Sequence, residues 1–359
     1  MHGIYDGFQI QNTDGREIWF AGANTDSGFI GSYPDIIDEA RLERVYIIKG
    51  GSGTGKSTLM RRLGADAEAL GYPVAYYLCG SDPDSLDAVV IDDRIAMLDG
   101  TAPHVLDMKY PGAASSLVDV SRFWDSGILE RRREEIEGHC AVKSAEYASA
   151  YRWLGAAEKL AAEEDVIAVS LFEREKALEA IHRLVKRLPK SCAVGSIRHR
   201  YTHGITMRGC VSLPTIAQGA DNRYVIEDQC GAARLFLPML ANALVEAGFR
   251  PTIGHLPLGN RITGIRAGTA SFTVGRAGEG DAAIRMSRFV KDGGDRGQLR
   301  LTAKLRESCV SEAANRLSAA AEHHFALEEI YKPAMDFDAL EAYGQRVRRE
   351  ILDRLAGKE

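Results

Sequence analysis

The sequence predicts an α/β fold, a parallel sheet sandwiched by helices, laid down twice along one chain. Three observations predict it. A glycine-rich turn stands between the apolar run Val45-Tyr46-Ile47-Ile48 and a segment of helix formers. Strand-like and helix-like segments then alternate, which implies parallel strands joined by crossover helices. The first half of the chain also recurs, in weaker form, in the second.

The elements follow in order. Arg44 to Ile48 reads as a buried strand and Lys56 to Leu70 as a helix, stopped by Gly71-Tyr72-Pro73. Val74 to Cys79 is the next strand, Ser81-Asp82-Pro83-Asp84-Ser85-Leu86-Asp87 an acidic loop, and Ala88 to Ile91 a short apolar run. Arg94 to Leu98 is a strand that ends at Asp99. In such a sheet ligands gather at the C-terminal strand ends, where Gly50, Cys79 and Asp99 would converge. From Ile128 to about Leu188 the chain turns to Ala, Glu, Lys and Arg without proline, which predicts a long helical hairpin. Leu305 to Leu355 repeats it. Such an arm serves as a lid, a dimerisation arm or a bridge between halves, or the two arms simply pack together.

The repeat rests on ordered matches. Phe20-Ala21-Gly22 and onward matches Tyr201-Thr202-His203 at a spacing of 181, and Tyr46-Ile47-Ile48 matches Tyr224-Val225-Ile226 at 178. Gly71-Tyr72 matches Gly248-Phe249, Gly100-Thr101-Ala102 matches Gly268-Thr269-Ala270, and Tyr151-Arg152 matches Tyr331-Lys332. The halves are taken as residues 1–190 and 191–359, with arms at about 128–188 and 305–355.

The turn itself carries chemistry. Gly50-Gly51-Ser52-Gly53-Thr54-Gly55-Lys56-Ser57-Thr58 has the pattern Gly-x4-Gly-Lys-Ser after a strand and before a helix, the phosphate-binding loop of P-loop NTPases. The glycines let successive backbone N–H groups face an anion, and the helix N-terminus behind Thr58 adds partial positive charge. Lys56 would reach the β- and γ-phosphates of ATP, and the Ser57 hydroxyl would hold Mg²⁺. Asp99, ending an apolar strand, is placed to hold Mg²⁺ or its water; a solvated strand-end carboxylate is the alternative. His104 follows in Asp99-Gly100-Thr101-Ala102-Pro103-His104, as a γ-phosphate or acceptor contact or as a structural histidine. Asp82, Asp84 and Asp87 offer a carboxylate to orient a water or deprotonate an acceptor hydroxyl. Turn and N-cap duty explains Asp82 and Asp84 as well.

The second copy lacks this chemistry. Gly55-Lys56-Ser57-Thr58 is replaced by Ala233-Arg234-Leu235-Phe236, so the second half is expected to fold like the first without binding Mg-ATP in the same way. Its stretch from Arg250 to Arg276 holds no Asp or Glu. Arg261 and Arg266 there are candidates to reach the γ-phosphate across the halves; pairing with carboxylates is the alternative.

Composition bounds the rest. The 359 residues are 26% charged and 45% hydrophobic, which suits a globular protein of about two domains. A net charge of −5 argues against nucleic acid or an anionic membrane as the main partner. No apolar stretch approaches a membrane span, no signal peptide is visible, and six scattered cysteines suit reduced thiols in a cytoplasm.

Phe20-Ala21-Gly22-Ala23-Asn24-Thr25, the loop from Lys49 to Met60, Ser81 to Asp87, Asp99 to Val105 and Tyr110-Pro111-Gly112-Ala113 together resemble a largely uncharacterised bacterial family of tandem P-loop ATPases. Leu327-Glu328-Glu329-Ile330-Tyr331 and Ala334-Met335-Asp336-Phe337 extend the resemblance over nearly the full chain. It implies ATP binding and hydrolysis; that family commonly carries a phosphate loop in both halves, and this chain departs from it in the second. The expected function is a Mg-dependent ATPase working on an undefined small-molecule or protein partner. A small-molecule or nucleotide kinase and a non-catalytic ATP-sensing scaffold are the alternatives. ATP is preferred over GTP because no Asn-Lys-x-Asp pattern occurs.

Overall fold

A computed structural model of the chain describes residues 16–37, 42–102, 105–189, 196–228, 231–291 and 296–357. The first half begins with β1 (Glu17–Phe20), the hairpin β2 (Gly22–Thr25) and β3 (Gly28–Gly31), and α1 (Tyr33–Ile36). It continues with β4 (Arg44–Lys49), α2 (Lys56–Ala69), β5 (Val74–Leu78), β6 (Leu86–Ile91), β7 (Ile95–Asp99) and β8 (Ser115–Asp119). Helices α3 (Ser126–Arg131), α4 (Arg133–Leu171) and α5 (Arg174–Val185) complete it. The second half runs β9 (Arg198–Tyr201), β10 (His203–Thr206), β11 (Gly209–Ser212), β12 (Asn222–Glu227) and α6 (Ala233–Glu246). Then come β13 (Thr252–Leu256), β14 (Arg261–Ala267), β15 (Ala270–Val274), β16 (Ala282–Arg285), α7 (Arg296–Tyr331) and α8 (Phe337–Leu355).

The central strands of the first half, β4, β6 and β7, are buried on both faces. Tyr46 and Ile48 of β4 join one apolar cluster with Met60 and Leu63 of α2, while Val45 and Ile47 join another on the opposite face. Helix α2 buries Leu59, Met60, Leu63 and Ala67, one stripe at helical spacing. It ends where Gly71 takes φ +86, a left-handed turn that the sequence signalled with Gly-Tyr-Pro.

The strand order β8-β4-β7-β6-β5-β1 recurs as β16-β12-β15-β14-β13-β9, and the two sets meet at β1 and β9 in one 12-stranded sheet. The junction is antiparallel, with Phe20 opposite Tyr201, the residues that head the match between the halves. The expected parallel sheet is in fact mixed, with mostly parallel pairs. Strand β6 is antiparallel to β5 and β7, and β14 to β13 and β15. The reason is connection length: β6 turns into β7 through residues 92–94 only, with Asp92 and Asp93 in left-handed conformations, and no crossover helix fits there.

The long helices cross over. α4, of 39 residues, and α7, of 36, lie side by side, sharing an apolar seam of Ala150, Leu154, Ala157 and Ala161 with Val310, Ala313 and Leu317. α5 then packs on the second half, where Ala177, Ile181 and Val185 join Phe236, Leu240 and Phe272. α8 packs on the first, where Val347, Ile351 and Leu355 join Tyr46, Met60 and Leu63. The exchange is reciprocal at the helix ends: Glu173 N donates to Phe289 O and Asp336 N to Phe123 O, each at 2.8 Å. The arms are therefore not free hairpins, and α7 starts at Arg296 rather than Leu305. With α4 and α7 aligned from their first residues, Arg133 and Arg296, and from these reciprocal ends, Tyr331 corresponds to Ala168, so the Tyr151–Tyr331 match is not a structural one.

Candidate functional site

The turn between β4 and α2 holds Gly53 at φ +68 and Gly55 at φ +79, positions where a side chain would be strained. Thr54 Oγ1 donates to Gly51 O at 2.8 Å and closes the loop on itself. Helix α2 starts with no side-chain cap and no acidic residue in its first turn. Its leading N–H groups are thus unsatisfied by side chains in the place where an anion binds best. Lys56 folds back over the loop, donating to Gly51 O at 2.6 Å and Gly50 O at 3.2 Å, with Asp99 at 3.6 Å.

Around this turn lies a cavity of about 990 Å³, lined by residues 51–58, by Cys79 and Asp99 at the strand ends, and by the acidic segment. The expected convergence at the C-terminal strand ends is what the structure has. Asp99 accepts from Thr101 N at 2.8 Å, and burial pushes its carboxyl above the usual range while Lys56 pulls it down and Asp87 adds to the rise. Asp87 is not in a loop but inside β6 and 5% exposed. The preceding residue, Leu86, donates its N–H to Ser57 Oγ at 2.9 Å, which ties the strand to the head of α2. Asp82 is a turn residue, accepting from Asp84 N and from Ser85 Oγ; burial raises it. Asp84 is held by Arg208, which arrives from the β10–β11 turn of the other half. His104 lies outside the described residues.

The roof of the cavity was not legible as site. Lys143, Ser144, Tyr147 and Tyr151 of α4 and His324 and Glu328 of α7 line it. Glu328 lies against Gly53, and Tyr331 with Trp124 lies against Gly51, so the second half's helix closes over the first half's loop. Burial holds His324 below the usual histidine range; Glu328 opposes this, and the positive charges of Lys143 and Lys56 add to it. The available signal was spacing: Cys140, Lys143, Ser144, Tyr147 and Tyr151 share one helical face.

The corresponding turn of the second half is filled from within. Asp228 accepts from Ala232 N at 3.1 Å and Ala233 N at 2.9 Å, taking amides whose counterparts in the first half are open. Arg234, at the place of Lys56, pairs with Glu164 and Asp165 of α4 at 2.7 Å each. Arg261, expected near the γ-phosphate position, instead pairs with Asp165 at 3.0 Å. Arg266 donates to the carbonyls of Gly268 and Ile216. Both sit on the far half of the sheet; among the described residues of the second half it is Arg208 that reaches the acidic segment, where Arg61 of α2 also donates to Asp84 O.

Among the described residues no helix is long and apolar enough to cross a membrane, and no group of three or more His, Cys, Asp or Glu side chains is placed to hold a metal. No family model matches the chain, and no curated protein or solved structure matches it either.

Proposed function

We propose that this chain is a Mg-dependent P-loop ATPase that binds and hydrolyses ATP at Gly50–Thr58, and that it arose by internal duplication with the second half a pseudo-NTPase. The observation that carries this reading is the contrast between the two turns. One has an uncapped helix start, left-handed glycines and a lysine facing a 990 Å³ cavity; the other has its amides and its cation satisfied by the protein's own carboxylates. A cavity of that volume is at the upper end for small-molecule sites and accommodates a nucleotide.

In this reading the backbone from Gly51 to Gly55 and the first turn of α2 hold the phosphates, and Lys56 leaves the Gly50 and Gly51 carbonyls to bridge the outer two. Ser57 and Asp99 would hold Mg²⁺, a donor set that fits an ion usually bound by one or two protein oxygens plus phosphate and water. Bound there, the ion would supply charge neutralisation for the phosphoryl group being transferred. Asp87, buried beside Asp99, orients the attacking water; its oxygen bonds to the γ-phosphorus as the bond to the ADP oxygen breaks, and its proton passes to the carboxylate or solvent. Asp84, engaged by Arg208, is less suited to this role.

The size of the cavity favours one second reading, a small-molecule or nucleotide kinase with the acceptor under Tyr147, Tyr151 and His324. ADP release measured with and without a panel of nucleosides and phosphorylated metabolites separates the two. Acceptor-independent release supports the ATPase, and acceptor-dependent release the kinase. Binding without release replaces both with an ATP-sensing scaffold.

A further inference from the structure

The closed second-half turn shows how this architecture holds an anion. Glu164, 2% exposed, is gripped from two sides: Arg234 at the head of α6 reaches one oxygen and Arg306 of α7 the other, each at 2.7 Å. One cation comes from the loop helix and one from the long helix roofing it. With α4 and α7 aligned from Arg133 and Arg296, the residue matching Arg306 is Lys143, and the residue matching Glu164 is Leu327. Arg234 matches Lys56, because the left-handed Gly231 matches the left-handed Gly53. The first half thus keeps both cations, Lys56 and Lys143, and has Leu327 in place of Glu164, while Glu328, in place of Asp165, is engaged by His324 and Lys332.

Lys143 lines the same cavity as the loop. No carboxylate pairs with it among the described residues, although it is only partly exposed. We propose that Lys143 of α4 is a phosphate-binding residue, which together with Lys56 grips the outermost phosphate of the bound nucleotide. This rests on the reading of Gly50–Thr58 as the ATP site. The outermost phosphate is the one assigned because the loop and the first turn of α2 would hold the inner ones, while Lys143 lines the cavity from the roofing helix α4. The contact would make α4, whose far end is anchored by Glu164 and Asp165 on the second half, the element that carries nucleotide occupancy from one half to the other.

The test is calorimetric titration of the full chain with Mg-ATP and with Mg-ADP. Lys143→Met is expected to weaken Mg-ATP roughly ten- to a hundredfold, the loss of one charge-assisted hydrogen bond, while Mg-ADP changes by less than about threefold. Lys143→Arg should restore most of the Mg-ATP affinity, and Lys159→Met, a charge loss on the exposed face of α4, should change neither ligand. Circular dichroism establishes that each variant is folded, and Lys143→Gln substitutes for the methionine variant if that one is not. Equal Mg-ATP binding by parent and Lys143→Met overturns the proposal alone, as does an equal loss of Mg-ATP and Mg-ADP. A parent chain that binds neither nucleotide overturns the underlying ATP-site reading as well.

Discussion

Replacing Glu164 with leucine, the residue that α7 carries at the matching position, is the most direct probe of the closed second-half turn. Glu164 is 2% exposed, and each of its oxygens accepts from one guanidinium at 2.7 Å. After Glu164→Leu, Arg234 keeps Asp165 at 2.7 Å, whereas Arg306 keeps only Glu307 at 3.9 Å. Breaking a buried pair by removing one partner costs about 3–5 kcal/mol. Arg306 has 22% of its side chain in solvent and relaxes toward water, which places the expected loss near the lower end, about 3 kcal/mol. That is roughly a 150-fold shift in the folding equilibrium. The assay is urea unfolding followed by circular dichroism, where the midpoint should fall with an unchanged slope. Adding Arg306→Met should recover most of the loss, since an apolar pair of similar volume replaces a buried ion pair at little cost. A loss below about 1 kcal/mol, or no recovery in the double variant, would show the cluster to be solvated and refute the account of a turn closed from within.

Three further outcomes are expected. Lys56→Ala should weaken Mg-ATP at least a hundredfold, about two charge-assisted bonds, while Arg234→Ala leaves first-half affinity unchanged; titration of both folded variants checks this. Because burial holds the Asp99 carboxyl above the usual carboxylate range, the ionised form that Mg²⁺ needs is lost on acidification at a higher pH than for an exposed aspartate. Mg-dependent affinity should therefore decline as pH falls through that raised range, and Asp99→Asn should remove both the inflection and the Mg dependence. Gly64→Ala places a methyl group 2.6 Å from the Tyr76 ring and hydroxyl, an overpacking that should cost about 1–3 kcal/mol; an unchanged thermal midpoint would contradict the tight α2–β5 contact.

Much of the site was legible because its chemistry is local. The run from Gly50 to Thr58 sets its own backbone conformation, and Asp99 ends a strand whose apolar residues announce it. Asp87 was misplaced by one structural class. Its neighbours Asp82, Pro83 and Asp84 read as a loop, but Leu86 pairs with β5 and its N–H bonds Ser57, so the strand begins two residues before the apolar run does. The antiparallel β6 was missed for a related reason. Alternation along a strand is the same whichever way its neighbours run, and only the three-residue return at 92–94 carries the direction.

The sequence by itself determined the α/β class, the left-handed glycine turn between β4 and α2, and the absence of lysine and serine from the turn after β12. These follow from residue types acting over a few positions, through glycine's access to left-handed backbone, apolar periodicity and turn length. Only the tertiary structure decided that the halves share one sheet through β1 and β9, that α5 and α8 exchange between them, and that Lys143, His324 and Glu328 roof a loop some 90 to 280 positions away in the chain. Helical spacing shows which side chains share a face but not what that face meets. Arg234, Arg261 and Arg306 likewise read as three separate basic residues until α4 brings Glu164 and Asp165 between them, because partners in a buried ion cluster are chosen by packing and leave no pattern in the chain.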